Sequence, residues 1–176
     1  MSYVSLQSLQ VEELLPQVDA SLHNHYPTAD DAQARQSWID FRTDAMFTQP
    51  MYLWAEHMQS VSSPSYLYWW DWQPQIEGSR QFGAFHAAEV AYVFGDLSMF
   101  DIDETPQEEA FSDLMMNLWT QFAKVGNPSV SGVLELPAYT REGHETAVLG
   151  KSVGLTDGVR LPQVQLITQA YDRQRQ

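Results

Sequence analysis

Residues 65–73, SYLYWWDWQ, constrain the fold more than any other stretch of this chain. The segment is short, rich in aromatics and closed off by Pro64 and Pro74, the punctuation of a β-strand. Successive side chains of a strand point to opposite faces. Large apolar residues fall in both alternating sets, which predicts a strand covered on both faces, as in a mostly parallel sheet flanked by helices. Such a sheet needs several strands, and the remaining sequence offers few.

Most of the other apolar residues recur at helical spacing. Val11, Leu14, Leu15, Val18 and Leu22 predict a helix over residues 8–25, shortened or kinked by Pro16. Thr28 or Asp30 opens a second helix running through Arg42. A third covers residues 44–59, with Pro50 bending it or starting its second half. Phe111, Leu114, Met115, Leu118, Trp119 and Phe122 form one stripe of a long helix, which Thr105-Pro106 starts and Gly126 ends. Short extended pieces are expected at residues 135–140 and 146–149, and a last helix at residues 161–173. The expected class is therefore α/β: helix-rich, with a partial central sheet, part of a larger domain. No repeat and no long linker divides residues 1–176, which read as a single fragment.

Charge and cysteine content narrow the function classes. A net charge of −14 repels phosphate backbones and anionic headgroups, so neither nucleic acid nor a membrane surface is an expected partner. With no cysteine, disulfides, thiolate metal sites and cysteine nucleophiles are excluded. No apolar run approaches the roughly 20 residues that span a bilayer, and the first 15 residues do not read as a secretory signal. A cytoplasmic location is the expectation.

Five ordered segments then carry a family resemblance. GAFHAAEVAYVFG (83–95) resembles the segment bearing the catalytic histidine of type-B carboxylesterases, the family of cholinesterases and para-nitrobenzyl esterases. TDAMFTQP (43–50), YLYWWDWQP (66–74), FSDLMMNLWTQFAKVGNPS (111–129) and LPAYTREGHETAVLG (136–150) resemble further elements of that family in the same order. The resemblance implies the C-terminal third of an α/β-hydrolase. It places His86 at the triad histidine, where an imidazole accepts the proton of an attacking serine and returns it to the leaving alcohol. Glu89 matches an acidic position of the same motif and implies a hydrogen bond behind the histidine. Asp44 implies a helix cap or buried polar anchor. No metal and no organic cofactor is implied.

The same resemblance exposes what is absent. In α/β-hydrolases the triad runs Ser, Asp/Glu, His, with the serine on a Gly-x-Ser-x-Gly elbow between strand and helix. Nothing before His86 has that form, and Gly78 is the first glycine of the chain. Gly150-Lys151-Ser152-Val153-Gly154 fits the letters but follows His86 and precedes a poor helix former, so Ser152 reads as a decoy in a glycine turn. The Gly-Lys-Ser triplet is no phosphate loop either, because Glu145 stands where the earlier glycine belongs. His23 and His25 face different sides of a helix and gain no third ligand from the sequence. His57 and His144 carry no motif. The Trp69-Trp70-Asp71-Trp72 cluster reads as core rather than a stacking platform, and Phe82 and Phe85 read equally as pocket lining or core.

The expected function is thus the histidine-bearing part of a carboxylic ester hydrolase, completed by an N-terminal portion and acting on a small ester. Alone, the chain is expected to be inactive and to self-associate through its exposed sheet edge. The alternative is a non-catalytic interaction module of the same fold.

Overall fold

The computed structural model describes residues 22–76 and 83–175. They belong to two compact units, one formed by Met1–Ser60 with Arg160–Gln176 and the other by Val61–Val159.

In the first unit, Asp30 caps α2 (Asp31–Thr43) by accepting the Gln33 N–H at 2.8 Å, satisfying one of the helix's orphan donors. The helix does not stop at Thr43. It widens into a π-helical turn, Asp44–Thr48, and continues as α3 (Gln49–Met58), with Pro50, which has no N–H to donate, just after the widened turn. Of the helix predicted over residues 8–25, only its end, α1 (Leu22–His25), lies within the described residues; Val11, Leu14, Leu15 and Val18 lie outside them. Leu22, Tyr26, Phe41, Ala45, Ile167 and Ala170 form the core here, the last two from α6 (Leu161–Gln174). Phe41 is fully buried, meeting the Tyr26 ring edge-on and stacking on Trp38.

Asp44 is the polar centre of this unit. Its carboxylate is fully buried and accepts from Arg160 Nε at 2.6 and 2.7 Å and from the Tyr26 hydroxyl at 2.6 Å. Arg160 Nη2 lies 2.6 Å from Asp44 Oδ2, completing the ion pair. Asp44 is an anchor and not a cap, because the helix runs on through it.

The second unit contains β1 (Leu67–Trp70), α4 (Ala88–Phe94), α5 (Pro106–Val125), β2 (Thr146–Leu149) and β3 (Gly154–Thr156), with a 3₁₀ turn at Leu97–Phe100. The sheet is three-stranded and mixed, in the order β1-β2-β3. β1 runs parallel to β2, Trp70 opposite Leu149, and β3 returns antiparallel. Thr105 caps α5, Pro106 occupies its first turn and Gly126 ends it with φ 73°, the left-handed region that glycine enters without a Cβ clash. The predicted stripe on α5 faces inward at Phe111, Met115 and Leu118, which join Trp72, Tyr92, Ala147 and Leu149 in one cluster.

Three expectations need correction. The strand is shorter than residues 65–73, and it is incompletely covered: Tyr68, on the face that meets Trp119 of α5, is 42% exposed. Residues 135–140 form no strand; Tyr139 N–H bonds the Ser65 carbonyl at 2.8 Å, a single link rather than a ladder. The hairpin strand β3 was not expected at all. Beside β1, an apolar cavity of about 200 Å³ opens between Tyr66, Tyr68, Trp119, Phe122, Leu134 and Leu136.

The turn before β2 carries an acid-sensitive contact. Glu145 accepts from the Thr140 N–H at 2.7 Å and from Thr140 Oγ1 at 3.0 and 3.1 Å. Burial would lift its carboxyl, but the N–H groups of Glu145 and Thr140 and the Thr140 hydroxyl outweigh it and hold the group below its ordinary 4.5. A depressed folded value means the contact stabilises the turn above the ordinary carboxylate range and is lost as pH falls through the lowered value. Thr140→Val removes the hydroxyl but keeps the N–H. The Glu145 carboxyl carbon, followed by NMR, should then titrate at higher pH than in the wild type. An unchanged midpoint would leave the shift to the backbone donors and the nearby His144 charge.

Candidate active site

His86 sits at an exposed turn immediately before α4. Gly83 enters that turn at φ 59°, and Phe85 N–H bonds the Gly83 carbonyl at 3.1 Å. Phe85 sets its ring edge-on to Phe100 at 5.8 Å, which ties the turn to the following 3₁₀ segment. Phe82 lies outside the described residues. Ala87, the N-cap of α4, is left-handed at φ 68° and ψ 1°, and Ala88 N–H closes the turn on the Phe85 carbonyl at 3.2 Å.

A left-handed alanine is unusual because its Cβ crowds the backbone. Backbone strain of this kind clusters at functional turns. Ala87→Val, with a branched Cβ at the same φ, should cost about 2 kcal/mol, whereas Ala87→Gly should stay within about 0.5 kcal/mol of wild type. Urea midpoints of the two variants check this, and a well-tolerated valine would contradict the strain.

The helix behind the turn is firmly held. Ala88, Ala91 and Tyr92 are buried, small residues letting α4 lie close to α5. Ser112 Oγ donates to the Tyr92 carbonyl at 3.0 Å. Gly95 ends α4 at φ 66°, and a Cβ there would stand 2.7 Å from Met116 Sδ. Glu89 lies in the first turn of α4, where a carboxylate favours the helix N-terminus. Burial first, and the Glu89 charge second, raise the Tyr68 phenol above its ordinary value.

Glu108 escaped the sequence reading. It is fully buried in α5 and accepts from the Tyr92 hydroxyl at 2.6 Å, Trp72 Nε1 at 2.7 Å and the Gln75 N–H at 3.0 Å. Burial, then the hydrogen bond to Glu108, pushes the Tyr92 phenol far above its ordinary value. A signal existed in Thr105-Pro106-Gln107-Glu108, which has the letters of a capping box. The Glu108 side chain instead turns into the core.

The decoy serine stands elsewhere in its chemistry. Ser152 is exposed in the turn joining β2 to β3, so a strand follows it where a nucleophile elbow requires a helix. His144 approaches the Tyr139 hydroxyl at 3.2 Å through Nδ1. Among the described residues, no group of three His, Asp or Glu is placed to hold a metal ion, His23 and His25 included. Among them, too, no helix is long and apolar enough to cross a membrane.

A parallel strand feeding a histidine turn, a helix packed behind it and a hairpin beside it together define a piece of an α/β-hydrolase. A solved PNB esterase superposes on 92% of this chain with a TM-score of 0.72 and 28% identity, the chain covering 33% of that structure. A thermophilic PNB esterase matches 95% of it with a TM-score of 0.71 and 27% identity, over 34% of that structure. The family model described as "Carboxylesterase family" matches residues 2–167. The chain belongs to the carboxylesterase family. Its similarity extends to the para-nitrobenzyl esterase of Bacillus subtilis (strain 168), 34% identical over 122 residues, which are 67% of this chain and 24% of that protein. Carboxylesterase 5A of Felis catus is 31% identical over 142 residues, 75% of this chain and 26% of that protein. The chain thus spans about a quarter of the length of the curated relatives it matches.

Proposed function

We propose that this chain supplies the histidine half of a serine-esterase site, with His86 as the general base and acid for a small carboxylic ester. The observation that carries the reading is the placement of His86 on an exposed turn, held by a left-handed residue ahead of a buried helix, within a family-matched segment. In the reaction, His86 takes the serine proton as the hydroxyl attacks the ester carbonyl. It then returns that proton to the departing alcohol, and repeats both transfers with water. The nucleophile, the triad acid and the oxyanion donors come from an N-terminal portion. That portion packs along the free edge of β1 and its apolar cavity; without it, the same edge favours self-association.

The test is complementation. The chain is mixed with the part of the Bacillus subtilis para-nitrobenzyl esterase that lies upstream of the matched region, and hydrolysis of para-nitrophenyl butyrate is followed. Wild-type chain should restore turnover, and His86→Ala should lower it on the order of 10⁴–10⁶-fold. Restored turnover that survives His86→Ala would overturn the role of His86.

A second reading, a non-catalytic interaction module, draws on Phe47, Met51 and Trp54. These lie at helical spacing and are 44%, 43% and 63% exposed. A complemented complex that forms without any turnover would favour it.

A further inference from the structure

Glu108 is a carboxylate with no solvent exposure that accepts from an indole, a phenol and a backbone amide, all of them neutral. Burying a carboxylate without a cationic partner is costly, and an apolar side chain of similar volume would pack these elements without that cost. Neutral donors on both of its oxygens make the arrangement a geometric clamp. The donors come from the two stems of one segment. Trp72 and Gln75 follow β1 and precede His86; Tyr92 lies on α4 and follows it.

We propose that Glu108 is the positioning residue for His86, fixing the separation and direction of the two stems between which the histidine turn is strung. This rests on the reading of His86 as the working histidine. Other contacts converge on the same stems. Asp103 N–H bonds the Gln75 carbonyl at 3.0 Å, and Trp72 stacks on Phe111 at 3.9 Å, one helical turn beyond Glu108. Oε2 receives both ring donors while Oε1 receives the amide, so both oxygens are engaged. An amide in place of the carboxylate would turn an NH₂ group against one of these donors.

The experiment reads the histidine ring directly, by ¹³C–¹H NMR of the Cε1–H groups in the purified chain. Glu108→Gln should move and broaden the His86 resonance. His57 and His144 should stay in place. Ser112→Ala removes a different contact between α5 and α4, the bond to the Tyr92 carbonyl, and should leave His86 unmoved. Tyr92→Phe, which takes away one donor and keeps the ring, should move His86 in the same direction by less; it decides the matter if Glu108→Gln does not fold.

An unmoved His86 in a folded Glu108→Gln chain would overturn the proposal. Equal movement in Ser112→Ala would do so too, by reducing Glu108 to general packing. The measurement needs no ester hydrolysis, so it separates from the function: a responsive His86 in a chain that never complements an esterase would sink the proposed function and leave the clamp standing.

Discussion

Replacing Asp44 with alanine should destabilise the first unit by about 3–5 kcal/mol. The carboxylate is fully buried, and its removal leaves the Arg160 guanidinium, whose side chain is only 23% exposed, without its close counter-charge. Asp40, 3.7 Å from Arg160 and itself 37% exposed, compensates in part, which places the loss nearer the lower bound. The Tyr26 hydroxyl loses its acceptor at the same time. A domain's whole stability is only about 5–15 kcal/mol, so the unfolding midpoint in urea should fall sharply. Asp172 and Arg175 give the contrast. They form an ion pair at 3.8 Å with both side chains mostly exposed, and Asp172→Ala should change stability by less than about 0.5 kcal/mol. Equal effects of the two substitutions would refute the view that burial, and not pairing alone, gives Asp44 its weight.

The second large effect belongs to Phe111. Its ring lies parallel to Trp72 at 3.9 Å and an 8° interplanar angle, and it meets Trp70 and Tyr92 at 5.6 Å each. Phe111→Ala should cost about 3–5 kcal/mol, the range for emptying a buried aromatic site. Trp72 also donates to Glu108, so the cavity opens beside the clamp behind His86. Denaturant unfolding followed by tryptophan fluorescence measures the loss, and Phe122→Ala is the control. Phe122 lies on the same helix but is 48% exposed, and its loss should be well under half as large. Comparable losses would mean that the stack contributes little beyond ordinary helix surface.

Local chemistry made much of this fold legible in the sequence. Asp30, Thr105-Pro106 and Gly126 mark helix ends through side-chain and φ preferences that act within one turn, and those helix ends fall where the preferences place them. The family was legible in five ordered segments, and the family model matches residues 2–167. The misses all depend on distant partners. β3 is only Gly154–Thr156, a strand by virtue of its pairing with β2. The covering of β1 is set by what packs on it, which its own aromatics do not reveal, and Tyr68 is left exposed. Asp44 finds Arg160 at a separation of 116 residues, and Glu108 finds Trp72 at 36; no local period announces either. The buried place of Asp44 was expected and its partner was not, whereas Glu108, a carboxylate of the type least expected inside, was missed altogether.

The central claim is that the chain holds a working histidine without its nucleophile. Hydrolysis of para-nitrophenyl butyrate by the purified chain, beside His86→Ala and Ser152→Ala, tests it most directly. All three should proceed no faster than buffer, since Ser152 sits in a strand-to-strand turn and no Gly-x-Ser-x-Gly stands before His86 in the sequence. Turnover by the wild-type chain that disappears in both variants would contradict it, and would make Ser152 the nucleophile of a complete site.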